Sequence, residues 1–182
     1  MKAPHYSHPS GFPLAFHIVF TCYGTRLQGN PKGSVSKYNS TPGTRLLRID
    51  SGRRHRHGKR MTQLPYKLDE SRRKVVLEAI KEVCQYREWH LIAAHIRSNH
   101  VHAIVSANCR PEKVMGDFKA YASRALTLAG FESSKRRRWT VHGSTGYLWQ
   151  EESLAEAVEY VNNGQGKMME WYVEGGDGDV AD

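Results

Sequence analysis

At 182 residues and 39% hydrophobic content, the chain is long enough to bury one ordinary core. Its 27 Lys and Arg against 18 Asp and Glu give a formal charge of +9, which favours an anionic partner such as nucleic acid. Cys22, Cys84 and Cys109 are odd in number and form no CxxC pair, so neither a disulfide framework nor a zinc ribbon is indicated. No stretch approaches membrane-spanning length and no apolar signal core opens the chain, so the expectation is a soluble cytoplasmic protein in a reducing compartment.

The first expected strand is "LAFHIVFTCYG" at residues 14–24, rich in aromatic and β-branched residues. Periodicity then stops. Residues 25–63 are dominated by Gly, Pro, Ser, Asn and basic side chains, and read as a long, substrate-facing loop. Its run "RRHRHGKR" offers Arg53, Arg54, Arg56, Lys59 and Arg60 to phosphates, although a solvated loop explains such a run equally well.

Helical spacing appears in "DESRRKVVLEAIKEVCQYRE" at residues 69–88, where Val76, Ile80 and Val83 form an apolar stripe and Asp69 is placed to cap. "WHLIAAHI" and "HVHAIVSA" follow as strands joined by Arg97, Ser98 and Asn99, and so are expected to pair antiparallel. A second helix spans residues 111–129, with Pro111 in its first turn, Val114, Phe118, Tyr121 and Ala125 along one side, and Gly130 as its stop. The basic run Lys135, Arg136, Arg137 and Arg138 precedes "RWTVHGSTGYLWQ", read as strand and turn with Trp139 and Trp149 as base-stacking or core candidates. Ser153 and Glu156 form an S-x-x-E capping box before a last helix, which Gly164 is expected to end in a left-handed cap. Residues 174–182, "EGGDGDVAD", read as an acidic disordered tail.

The order is β-α-β-β-α-β plus a final helix. It predicts an α+β fold: a ferredoxin-like split-βαβ antiparallel sheet with helices on one face and an extra C-terminal helix, all one domain over residues 1–173.

Strand alternation puts His100 and His102 on one sheet face and Val101, Ala103 and Val105 on the other. Two imidazoles at that spacing can ligate one divalent metal with one or two further donors. By themselves they are a weak signal, and a polar pair on a solvated face is the simpler explanation.

"IRSNHVHAIVSA", the late "YLWQEESLAEAVEYVNNGQG", the first strand "FHIVFTCYGT", the helix segment "FKAYASRAL" and the "HGS" segment together resemble the IS200/IS605-like transposases of the HUH endonuclease superfamily, especially the REP-associated tyrosine transposase branch. The resemblance spans most of the chain but not the long loop or the tail. It implies that His100 and His102 bind Mg²⁺ or Mn²⁺, and that Tyr160 on the last helix is the nucleophile. The third donor falls on Gln165, with Asn163 as competitor, because the family's glutamine four residues after the tyrosine is replaced here by Gly164.

The implied reaction is metal-dependent single-strand DNA cleavage and strand transfer through a 5′-phosphotyrosine intermediate, on single-stranded or hairpin DNA carrying REP-like palindromes. A monomer is favoured over a homodimer, in a bacterial cytoplasm and associated with the nucleoid. A non-catalytic DNA- or RNA-binding protein of the same fold and a phosphodiesterase using water remain as alternatives. Tyr121 is a rival nucleophile that falls in register with core positions. His95 on the neighbouring strand is expected to be structural, and His142 to touch phosphate.

Overall fold

The structure, a computed structural model, describes residues 12–25 and 50–175. Its elements are β1 (Ala15–Cys22), α1 (Ser51–Lys59), α2 (Glu70–Tyr86), β2 (His90–Ile96), β3 (His100–Ser106), α3 (Pro111–Leu128), β4 (Trp139–Leu148), α4 (Glu151–Asn163) and β5 (Glu170–Val173). One sheet in the order β4-β1-β3-β2-β5 organises them. The four longer strands are ordered as expected of a ferredoxin-like split βαβ. Each neighbouring pair is antiparallel.

One sheet face is the main core. Phe16, Ile18 and Phe20 of β1 and Val101, Ala103 and Val105 of β3 pack with Val76, Ile80 and Val83 of α2 and with Val114, Phe118, Ala122 and Leu126 of α3. Every second strand residue and every third or fourth helix residue is apolar, so each element buries one side. Phe118 is fully buried. Truncating such a ring to alanine costs about 3–5 kcal/mol. The stripe of α3 is rotated from the expected one, since Ala122 and Leu126 are buried while Tyr121 and Ala125 lie at the margin.

The opposite face carries a smaller cluster of Ala15, Ala93, Ile104 and Val161, with Leu154, Ala157 and Val158 against it. α4 therefore lies across the sheet from α2 and α3. The spacing of residues 154, 157, 158 and 161 is the helical apolar stripe that holds it there.

Local signals hold at several ends. The side chain of Asp69 accepts a hydrogen bond from Arg72 N at 2.9 Å, capping α2. Arg97 N donates to His100 O at 2.8 Å in the β2–β3 turn. Pro111 stands in the first turn of α3, and Gly130 takes a left-handed φ of 80° just after its end.

Four expectations need correction. Residues 51–59 are helical, so the long loop is not structureless throughout, and its residues 26–49 lie outside the described residues. The helix carrying Tyr160 begins at Glu151 after Gln150, without a side-chain cap, so Ser153 lies inside it and the S-x-x-E box does not open it. Gly164 has φ −78°, an ordinary right-handed conformation, and Gly166 takes the left-handed one at φ 76°. Residues 170–173 add an edge strand that the sequence reading omitted, pairing Ala93 with Val173 and His95 with Trp171. Of the acidic tail, residues 176–182 lie outside the described residues.

Candidate active site

His102 sits at the middle of the sheet, opposite Val19 of β1 on one side and His95 of β2 on the other. His100 stands two residues earlier on the same face, opposite Thr21. Their ring centroids are 5.0 Å apart. His102 is buried and His100 half-buried. The expected projection of both rings from one face is observed, and α4 covers part of that face.

Each ring is held through Nδ1. His100 Nδ1 lies 2.7 Å from Asn99 Oδ1. An amide oxygen only accepts, so His100 donates from Nδ1. His102 Nδ1 lies 3.0 Å from Nε2 of His17 on β1. Burial lowers the pKa of His17, which favours its neutral form.

Tyr160 flanks the apolar stripe of α4. It precedes Val161, which is buried against the sheet, and so points roughly 100° around the helix from it. That rotation leaves the phenol half exposed, its ring centroid 5.9 Å from that of His102 and 6.3 Å from that of His17. Gln165 follows five residues later, just past the end of α4. Its Oε1 lies 3.5 Å from His100 Nε2 and its Nε2 lies 3.4 Å from the carbonyl oxygen of Tyr160. Asn163 points elsewhere, donating from Nδ2 to Glu159 Oε1 at 2.8 Å.

His95 is fully buried and anchors this assembly. Its Nδ1–H donates to Val161 O at 2.9 Å, and its Nε2 accepts from Met169 N at 3.2 Å. Both ends of the α4–β5 connection are thereby tied to β2. Burial is the main reason its pKa is lowered, with the nearby Arg97 guanidinium acting in the same direction and the Val161 carbonyl against it.

The basic residues divide by placement. Arg56, Lys59 and Arg60 are exposed on and just after α1, while the side chains of Arg53 and Arg54 lie outside the described residues. Lys135 and Arg137 are exposed, and the Arg137 guanidinium lies 6.0 Å from the Tyr23 ring. Arg136 and Arg138 do not match the expected phosphate-facing run. Arg136 donates to Gln63 Oε1, Leu64 O and Pro65 O at 2.8, 2.7 and 3.2 Å. Arg138 is buried, its Nη2 donating to Thr127 Oγ1 and the carbonyls of Phe131 and Glu132, each at 3.1 Å. Positive charge here complements the carboxyl end of α3.

Trp139 likewise faces inward, packed edge-on against Phe20 with Nε1 donating to Ser123 Oγ at 2.9 Å. Trp149 is the more exposed tryptophan and stacks on Tyr147. Gln63 also binds Lys135 O at 3.0 Å, drawing the segment after α1 beside Lys135 and Arg137. A cleft of about 580 Å³ between them is lined by Tyr23, Met61, Arg137, Trp139, Thr140 and Val141.

His142 is exposed on β4. Its carbonyl, with those of Thr140 and Val141, accepts from Lys119 Nζ at 2.9–3.3 Å. Burial lowers the Lys119 pKa to about 8. Tyr121 packs near Tyr86 on the far side of the sheet, with ring centroids 6.4 Å apart. It shares no surface with the histidine pair.

Sequence reasoning passed over His17. Its strand was recognised, but only the β1–β3 register sets it diagonally beside His102.

The antiparallel α+β sheet thus gathers two imidazoles, an amide and a phenol within reach of one another. Residues 65–175 match the family described as transposase IS200-like. The chain belongs to the IS200-like transposases, enzymes that move DNA. A solved structure described as the REP-associated tyrosine transposase bound to a REP hairpin aligns at 11% identity and a TM-score of 0.47, over 89% of this chain and 70% of that one. No curated protein matches the chain. Among the described residues, no helix is long and apolar enough to cross a membrane.

Proposed function

We propose that this transposase is a metal-dependent single-strand DNA endonuclease and strand transferase of the REP-associated tyrosine branch, acting through Tyr160. The observation that carries the reading is the convergence of His100 and His102 of β3 with Tyr160 and Gln165 at the end of α4. The donor set suits Mg²⁺ or Mn²⁺: His100 Nε2 and Gln165 Oε1 lie 3.5 Å apart, so a nitrogen and an oxygen donor could face one cation. In this reading the Gln165 amide oxygen is the third donor. When bound, the cation would polarise the non-bridging oxygens of a phosphodiester.

In this reading the chain's own groups perform the transfer. The Tyr160 Oη attacks phosphorus in line, an O–P bond to tyrosine forms, and the bond from phosphorus to the 3′ oxygen breaks. The phenolic proton is lost and the 3′ oxygen leaves as a hydroxyl. A 5′-phosphotyrosine then stores the bond until a 3′-hydroxyl attacks it, regenerating the phenol. His95 holds the backbone next to Tyr160, which restricts the angle of attack. Arg56, Lys59, Arg60, Lys135 and Arg137 track the strand backbone. The substrate is single-stranded or hairpin DNA with REP-like palindromes, handled by a monomer in the cytoplasm and at the nucleoid.

The test is incubation with Mn²⁺ and an end-labelled strand containing a hairpin, followed by denaturing electrophoresis. A covalent protein–DNA adduct is expected from wild type and Tyr121→Phe and none from Tyr160→Phe. Cleavage without an adduct would favour a water-using phosphodiesterase, and binding without cleavage a non-catalytic DNA-binding protein.

A further inference from the structure

We propose that His17 is a positioning residue that fixes the ring tautomer of His102, so that His102 presents Nε2 to the cation. The inference rests on the reading of His100 and His102 as ligands. His17 Nε2 and His102 Nδ1 are 3.0 Å apart, and the ring centroids are 5.3 Å apart. Two neutral imidazoles at that distance share one hydrogen, one ring donating and the other accepting. The two choices have opposite consequences. With His102 as donor, its hydrogen is on Nδ1 and its lone pair on Nε2. With His17 as donor, His102 carries its hydrogen on Nε2 and cannot ligate through that nitrogen.

The neighbouring histidine shows which arrangement the site is built for. His100 is held through Nδ1 by the Asn99 oxygen at 2.7 Å, which leaves Nε2 as the liganding nitrogen. His102 is held through the same nitrogen, by an imidazole instead of an amide. The two rings form a matched pair only when both hydrogens sit on Nδ1. His95, the direct ladder partner of His102, cannot take the role of His17, since its nitrogens are engaged by Val161 O and Met169 N. His17 reaches His102 diagonally, because Val19 stands opposite His102 and His17 is two residues earlier on the same face.

The experiment titrates the full-length protein with Mn²⁺, without DNA, following free Mn²⁺ by electron paramagnetic resonance. It compares wild type, His17→Leu, His17→Gln and a variant combining His100→Ala with His102→Ala. The leucine variant is expected to raise the Mn²⁺ Kd by about 10–100-fold. The glutamine variant, whose Oε1 reaches the place of His17 Nε2 and can accept from His102, is expected to recover most of that loss. Long-range ¹H–¹⁵N correlation spectra of metal-free wild type should show the Nδ1–H tautomer at His102, a reading that does not depend on any variant folding. Wild-type affinity in His17→Leu, or an Nε2–H tautomer at His102, would overturn the proposal. Loss of Mn²⁺ binding in the double variant with no effect of His17→Leu overturns the positioning role alone. Undiminished binding in the double variant overturns the ligand reading beneath it.

Discussion

A Cβ on Gly164 would lie 2.6 Å from Cδ2 of Tyr160 and 2.7 Å from the Tyr160 carbonyl oxygen. The tyrosine therefore occupies the space that a side chain at position 164 would need. The backbone at Gly164 is right-handed, so it is room beside Tyr160, and not a left-handed turn, that calls for glycine.

Gly164→Ala should move the phenol without unfolding the chain. Single-turnover adduct formation is expected to slow by about 100-fold, the effect of roughly 1 Å of misplacement, while the circular dichroism spectrum stays that of wild type. A variant reacting at the wild-type rate would show that the ring tolerates displacement.

The proposed metal role distinguishes Gln165 from Asn163. Gln165 Oε1 faces His100 Nε2, whereas Asn163 Nδ2 is engaged with Glu159. Gln165→Ala should raise the Mn²⁺ Kd by about 10-fold or more, and Asn163→Ala should leave it unchanged, as read by calorimetry. The opposite ranking would reassign the third donor.

His95 makes stability depend on pH. Burial lowers its folded pKa below the ordinary 6.5, so the unfolded chain takes up the proton first as the solution is acidified. The stability this neutral ring contributes is complete above pH 6.5 and is lost as pH falls towards the lower folded value. The Arg97 guanidinium near its Nε2 acts in the same direction, and His102 and Trp171 are its ladder neighbours. For metal-free protein, urea unfolding should show a slope of at most about 1.4 kcal/mol per pH unit from this group, and His95→Asn should reduce the slope. An unchanged slope in that variant would remove His95 from the linkage.

Arg137 and Arg138 are adjacent but should fail in different assays. Arg137→Ala is expected to weaken hairpin-DNA binding and to lower the salt slope by about 1, with little change in melting temperature. Arg138→Met leaves the part-buried carbonyls of Phe131 and Glu132, in the turn after α3, without this donor and should cost about 1–3 kcal/mol of stability. Salt-dependent binding and urea titrations of both variants test the division.

Much was legible in the sequence because it depends on neighbours in the chain. Alternation alone put His100 and His102 on one face, helical spacing marked α2 and α3, and Asp69, Pro111 and Gly130 were placed by the local chemistry of helix ends. The four-residue strand β5 escaped because so short an edge strand is stabilised by its partner β2 more than by its own composition. The start of α4 was misplaced because a capping box is only one of several ways to open a helix. Arg136, Arg137 and Arg138 are the same residue in the same run, and only the path of the chain around α3 decides which meets carbonyls and which meets solvent. His17 could not be assigned from sequence for the same reason: its contact with His102 crosses 85 residues, and it exists because antiparallel pairing of β1 with β3 sets the register between them.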